Sequence, residues 1–493
     1  MSSAVPPPRS GASRGVLTGA AQTFVASVLP LALALLALPV LTRALGAERI
    51  ALLALAWSWL AIVQLLDFGL GRALVRRLAE ADAHGQLADE GHAVRSAERA
   101  LLVVSSVVAI AGCAVGTWYV RRQLGLPAAL RDDATWSTLL FCAAVPATVA
   151  AAAPRAALEA ARRFGEVSLV RGLVNAATFA VPLALLPITQ ALWVTAALLL
   201  VVRLWAWWRL RSRAARLVTL HAPARAGTTP ALLRDGTWIT VSNVLSPLLA
   251  GIDRFVIGAL LGAAAVAHYA VPYEVVTKAW IVPSAVCASL FPAVAFARVR
   301  AASEVAALHA LALRVTAALV LPAMTAALVA APLVLVVLAG GAWPASSARV
   351  LAWLAIGTAA NSLAIVPFVL LQATGRARAV ALVNVVEVGP YLVALWVGLQ
   401  VMGIEGAAIA WTARATVDLV AVAWLAARHV PPSPGTWPRL VIGAGGLVTA
   451  AALVLAHGDV TPWLAVALVA LVTIATMPPD ALRLLRARLA GAS

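Results

Sequence analysis

The chain has 493 residues, 63% of them hydrophobic and only 12% charged, with 37 Lys and Arg against 20 Asp and Glu and a formal net charge of +17. No soluble fold hides that much apolar surface, and the basic residues flank apolar stretches, which makes them membrane-span borders and not a nucleic-acid footprint. Cys113, Cys142 and Cys287 sit inside apolar stretches without metal-ligand spacing, and the histidines do not gather with cysteines or carboxylates, so the sequence asks for no disulfide framework, metal or cofactor.

Residues 1–15 form a polar, Arg-bearing N-terminal tail. The apolar run 16–41 is too long for a signal-peptide core of about 7–15 residues and reads as a retained first transmembrane helix. Further spans are expected at 50–70, 101–120, 136–153, 167–186, 189–208, 237–261, 264–290, 309–338, 350–371, 379–401, 407–427, 440–456 and 462–477. Runs of about 17–25 residues match the hydrocarbon thickness, and these lack the period-2 alternation of barrel strands. The expected fold class is therefore all-α and polytopic, with about 14 transmembrane helices.

Most Arg residues fall on one side when the N-terminus is placed in the cytoplasm: Arg72, Arg76, Arg77, Arg95 and Arg99, then Arg155, Arg162, Arg163 and Arg171, then the run from Arg203 to Arg234. An even number of spans also puts Arg483, Arg486 and Arg488 inside, so both termini are expected to be cytoplasmic.

Two halves are visible. Leu158-Glu159-Ala160-Ala161-Arg162-Arg163 links two spans in the first half, as Leu371-Gln372-Ala373-Thr374-Gly375-Arg376 does in the second. Arg14 and Gly46 bracket the first helix as Arg234 and Gly262 bracket the seventh. The near-constant offset argues for a duplicated six-span unit in parallel orientation. The expected organisation is a tail at 1–15, an N-lobe at 16–208, an Arg-rich linker at 209–236, a C-lobe at 237–427, and two further helices with a basic tail at 428–493.

Leu41-Thr42-Arg43-Ala44-Leu45-Gly46-Ala47-Glu48, followed by a helix ending Asp67-Phe68-Gly69-Leu70, resembles the opening of the polysaccharide-biosynthesis or O-antigen flippase family. Asp253-Arg254-Phe255-Val256-Ile257-Gly258, with Gly262, Tyr269 and Phe291-Pro292, resembles its seventh and eighth helices. Gln372-Ala373-Thr374-Gly375-Arg376 and Gly403-Ile404-Glu405-Gly406-Ala407-Ala408 resemble its tenth to twelfth. The resemblance runs to about residue 428. It implies two six-helix lobes in a V, as in multidrug-and-toxin-extrusion transporters, worked by alternating access in the bacterial cytoplasmic membrane. The cargo it implies is an undecaprenyl-diphosphate-linked oligosaccharide, with membrane lipids around it and polysaccharide polymerases or glycosyltransferases as protein partners. The lipid II flippases and multidrug exporters of the same superfamily are the alternative readings. Family cavities often hold several scattered cations, whereas this chain offers three deep inside its expected spans, well away from the span ends: Arg254, Lys278 and Arg414.

An ionisable group at the bilayer centre costs at least about 2.5–3.5 kcal/mol, so each needs a reason. Glu274 and Lys278 stand four apart on one helical face, suited to lining a cavity or to a structural ion pair. Arg414 and Asp418 repeat that spacing, with the same two readings. Asp253 and Arg254 are neighbours and cannot face each other cleanly; Arg254 is the expected diphosphate contact because its planar fork suits phosphate oxygens. Glu387 has no local partner and, with Asp418 and Asp253, is a candidate for ion coupling. Asn175, Asn243, Asn361 and Asn384 read as interhelical hydrogen-bond glue.

An integral-membrane glycosyltransferase or polymerase would need an acid/base constellation in a large external site, and only Asp132-Asp133 stands out there. A recruiting scaffold would use segment 72–99, which reads more simply as a solvated cytoplasmic loop. In a background lacking Cys113, Cys142 and Cys287, a cysteine introduced into 209–234 should resist an impermeant thiol reagent in intact cells and react after permeabilisation. Labelling of intact cells would overturn the orientation.

Overall fold

The computed structural model describes residues 10–64, 70–84, 86–218, 237–297, 302–339, 343–430, 443–450, 452–453 and 462–476. Asp67, Arg225, Arg234, Arg483, Arg486 and Arg488 lie outside them. Among the described residues the regular elements are all helices. Nine of these helical segments are long and apolar enough to cross a membrane. Their outer faces carry stripes of exposed apolar side chains, such as Val103, Val107 and Ile110, or Val386, Val393 and Val397. Such stripes at helical spacing have a partner only in lipid. The chain is an all-α, multi-pass membrane protein.

Two compact units divide the chain: residues 1–45 with 59–244, and 46–58 with 245–493. The first contains most of α1 (Ser10–Val63), α2 (Leu70–Ala83), α3 (Gly91–Arg122), α4 (Ala128–Ala143), α5 (Val145–Ala150), α6 (Ala152–Ala160), α7 (Phe164–Leu185) and α8 (Leu192–Ala214). The expected fourth span is thus cut into α4, α5 and α6, with short turns at Ala144 and Ala151. Segment 72–99 is not a solvated loop. Leu70, Leu74 and Leu78 form an i, i+4, i+8 stripe on α2 that packs with Ala153, Ala156, Ala157 and Ala160 of α6. Glu98 of α3 is 2% exposed; it accepts a hydrogen bond from Trp207 Nε1 at 2.9 Å and pairs with Arg211 at 2.5 Å, tying α3 to α8. Asp133 accepts bonds from the backbone N–H groups of Leu192 and Trp193 at 3.0 and 2.9 Å and caps the start of α8.

The second unit holds residues 46–58 of α1, most of α9 (Thr237–Leu261), α10 (Ala263–Thr277), α11 (Ile281–Ala297), α12 (Ala302–Val329), α13 (Ala331–Ala339), α14 (Ala345–Ala373), α15 (Ala377–Met402), α16 (Ile404–Ala427) and α17 (Pro462–Thr476). The expected eighth span is interrupted by a 3-10 turn at Lys278–Trp280 that separates α10 from α11. Pro283 is the third residue of α11, where its missing N–H falls among the first-turn donors that no helical carbonyl of α11 would accept. The expected ninth span turns at Ala330, between α12 and α13.

Helices α14, α15 and α16 pack closely through small residues. A Cβ on Gly357 would lie 2.5 Å from Trp411 Cζ3, and one on Gly406 would overlap the backbone of Gly398. Thr412 Oγ1 donates to the Trp353 carbonyl at 2.7 Å, adding a hydrogen bond from α16 to α14. Gly406→Val should force α15 and α16 apart, cost about 1–3 kcal/mol and lower the thermal midpoint. Gly389→Ala on α15, with nothing within 4 Å of its added Cβ, should be neutral or stabilising by about 0.5–1 kcal/mol. Equal midpoints for Gly406→Val and wild type would refute the close crossing.

Candidate functional site

The second unit gathers its ionisable residues from α9, α10, α15 and α16. Asp253 and Arg254 are 0% and 4% exposed. Asp253 Oδ2 accepts the Tyr269 hydroxyl at 2.5 Å, and its Oδ1 accepts the Arg254 backbone N–H at 2.8 Å. Neighbours in sequence, their side chains do diverge: the Arg254 guanidinium donates from Nη1 to Ser58 Oγ and lies over the Tyr273 ring, 4.1 Å from its centroid. Ser58 in turn donates to the Ala54 carbonyl at 2.8 Å, which orients its lone pairs toward the arginine. Arg254 Nε and Nη2 are buried without a hydrogen-bond partner.

Glu274 and Lys278 form the expected pair, Nζ to Oε2 2.8 Å. The pair spans the junction between α10 and the 3-10 turn, and Glu274 also lies within electrostatic reach of Arg254. Arg414 does not take up the expected i, i+4 pairing with Asp418. Its Nη1 is 3.7 Å from Glu387 Oε2 on α15, while Asp418 feels its charge from a greater distance and keeps an unpartnered Oδ1. Glu387, without a partner in its own helix, therefore gains one across the helix pair. Arg414 also lies 5.6 Å from the Tyr391 ring centroid and 5.9 Å from that of Trp411. Asp253 is within electrostatic reach of both Arg254 and Arg414, which joins the two sets of charges into one cluster.

Sequence reasoning missed the aromatic frame. Tyr273 stacks on Tyr269 at 6.2 Å and meets Trp411 and Trp280 edge-on at 5.4 and 6.1 Å. Tyrosines in membrane proteins favour the interfaces, yet three of the four in this chain, Tyr269, Tyr273 and Tyr391, converge inside the unit. Their rarity was the available signal. Asn384, Glu387 and Tyr391 on α15 and Trp411, Arg414 and Asp418 on α16 share the spacing i, i+3, i+7, which puts each trio on one helical face. Asn384 is 3% exposed with an unpartnered Nδ2, so it is not the interhelical glue expected of it; Asn175 is exposed on α7. Buried atoms without a hydrogen bond thus recur in this cluster: Nε of Arg254 and of Arg414, Nδ2 of Asn384, the Tyr391 hydroxyl, and oxygens of Glu387 and Asp418. Among the described residues no cluster of His, Cys, Asp and Glu is built to hold a metal.

Apolar helices with broken spans and a buried charge cluster define a polytopic membrane protein, and its fold is shared by solved structures of a lipid II flippase and a multidrug transporter. The solved structures agree. The chain resembles a structure titled lipid II flippase MurJ, inward closed conformation, with a TM-score of 0.71, 10% identity and coverage of 93% of this chain and 98% of that one. It resembles an inward-facing multidrug resistance MATE family transporter with a TM-score of 0.63, 13% identity and coverage of 82% and 98%. Residues 16–297 match the family described as Polysaccharide biosynthesis protein, and the chain belongs to that family. A Shigella flexneri protein named "Putative O-antigen transporter" is 26% identical over 404 residues, covering 81% of this chain and 95% of its own length.

Removing one member of a buried ion pair strands the other, at about 3–5 kcal/mol. Arg414→Met should therefore lower the unfolding midpoint markedly, and adding Glu387→Leu should recover most of the loss. A single variant as stable as wild type would show that the two helices are not coupled through this pair.

Proposed function

We propose that the protein moves a polyprenyl-diphosphate-linked oligosaccharide from the inner to the outer leaflet of the bacterial cytoplasmic membrane, by alternating access, for cell-surface polysaccharide assembly. The observation that carries this reading is Arg254, buried to 4% exposure, with Nε and Nη2 left without partners. An anionic diphosphate inside a low-dielectric protein needs a compensating cation, and a guanidinium fork supplies two parallel charge-assisted bonds. Arg414, with its own unpartnered Nε, offers a second such contact, and Lys278 a point charge. Family membership and the Shigella relative support the same cargo class.

Among the described residues the cations in electrostatic reach of Asp253, Glu274, Glu387 and Asp418 are Arg254, Lys278 and Arg414, so an anionic cargo adds to an existing excess of carboxylate. Loading then favours a proton or a small cation on one carboxylate, and we place it on Glu387 and Asp418, which lie within electrostatic reach of each other and share Arg414, with Asp253 as the third candidate. The proposed domain plan keeps the duplicated six-helix lobes, with α17 and the helical stretch 443–450 added after them.

Proteoliposomes carrying the lipid-linked oligosaccharide test this by lectin access to the glycan at the opposite leaflet. Arg254→Ala and Lys278→Ala should each slow transfer at least about tenfold at matched protein levels, the loss expected for one charge-assisted contact of about 1.5–3 kcal/mol. Glu274→Gln should strengthen cargo binding and slow release, because the competitor for Lys278 is gone. Wild-type transfer in all three variants would remove the site and leave the Glu274–Lys278 pair as a structural element.

A further inference from the structure

Sequence placed Arg171 in a basic border and Asn175 between helices, yet on α7 both side chains are exposed. They stand four residues apart, with Ser168 three residues before Arg171, so the three share one helical face. Leu169 and Leu173, two residues to either side of Arg171, are 57% and 42% exposed. At about 100° per residue each lies about 160° around the axis from Arg171, on the far side of the helix. The flanks between these faces are buried, through Val167 and Val170 on one side and Gly172 and Ala176 on the other. Val167 and Val170 pack with Leu158 of α6 and with Ala206 and Leu210 of α8. Helix α7 therefore meets its surroundings on two opposite faces of opposite character.

The leucine face suits lipid, as the valines of α3 and α15 do. The polar face does not. Asn175 lies eleven residues from the start of α7, about 16 Å along the axis and halfway through the helix. Its side chain is too short to reach back to a headgroup, and an arginine left in hydrocarbon is costly. Pro182, seven residues beyond Asn175 on the same face, is buried, so the exposed polar face runs from the first turns to mid-depth and stops. We infer that the Ser168–Arg171–Asn175 face borders water within the membrane and is a saccharide-contacting surface of the first unit, taking hydroxyl groups of the cargo's sugars. This rests on the reading given under Proposed function and concerns the sugars, which the charge cluster of the second unit does not address. A diphosphate calls for an excess of cations, whereas the one cation on this face already has Glu159 within electrostatic reach. An amide donates and accepts as a sugar hydroxyl does, and the guanidinium adds donors, so the set suits a neutral, hydroxyl-rich ligand.

The test uses the full chain in nanodiscs, with Cys113, Cys142 and Cys287 replaced and both membrane faces open to a charged, impermeant thiol reagent. Asn175→Cys should react at least about tenfold faster than Leu173→Cys at nearly the same depth, because the reacting thiolate forms in water and not in lipid. Lipid-linked oligosaccharide should slow the Asn175→Cys reaction several-fold, and polyprenyl diphosphate without sugars should leave it unchanged. Equal rates at 173 and 175 would overturn the water-facing surface. A fast Asn175→Cys reaction that the oligosaccharide does not slow, with transfer by wild type intact, would overturn the sugar contact and leave the proposed function standing. Equal protection by polyprenyl diphosphate would assign the face to the lipid end of the cargo and overturn the saccharide reading. A wild type that transfers no oligosaccharide would remove both. Ser168→Cys, a conservative change on the same face, carries the same readout where Asn175→Cys does not fold.

Discussion

The second unit depends on compensating charge where no water can do so. Asp253 is fully buried and holds its position through the Tyr269 hydroxyl and the backbone N–H of Arg254. That carboxylate provides the nearby negative charge that lets Arg254 stay buried, and Arg254 in turn is aimed by Ser58 and by the face of Tyr273. Tyr273 then packs against Trp411, whose ring fills the space left by Gly357. Removing the acid would leave the arginine without its adjacent carboxylate, and removing the arginine would take from Asp253 the cation that offsets its buried charge most. The electrostatic requirement and the helix packing are one constraint.

The fold class was legible because a bilayer imposes a length and a polarity on each helix, and both can be read residue by residue. Helix interruptions were less legible. A 3-10 turn over Lys278–Trp280 divides the eighth span, yet hydropathy across 264–290 is continuous and carries no mark of it. Gly46 and Gly262, matched in the duplication argument, both adopt a conformation open to glycine, with φ 76 and ψ 171 at one and φ 83 and ψ 179 at the other. The second matched pair behaves likewise. Arg162 and Gly375 have φ 58 and 83, and Arg163 and Arg376 each donate to the carbonyl five residues back, at 2.8 Å, the closure of a helix by a left-handed residue. That Arg162 does this with a side chain explains why the sequence motif looks degenerate while its backbone role is the same.

The site was half legible. Each charged residue could be named from sequence because a charge inside a span is conspicuous. Partners could not, because sequence spacing reports contacts along one helix and says nothing across two. The Glu274–Lys278 pair is local and was foreseen; Arg414 took Glu387 in place of Asp418 because a neighbouring helix presented a carboxylate on the facing side. Arg203 was misplaced for a related reason. A run of arginines at a helix end masks the one member that belongs to the middle, and only the helix boundaries Leu192 and Ala214 separate it from the rest.

Charge and flexibility also coincide in the eighth span. A continuous helix resists bending because each bend breaks several backbone bonds, but the 3-10 turn at Lys278–Trp280 has already given up the regular pattern. Lys278 sits at that turn and Glu274 in the last turn of α10, so their 2.8 Å bond crosses the point where the span yields most easily. A competing anion that drew Lys278 away would release the only side-chain ion pair between these two residues without unwinding the helix on either side. In the proposed transport cycle, the step that senses the cargo and the step that reshapes the span would then draw on the same few residues.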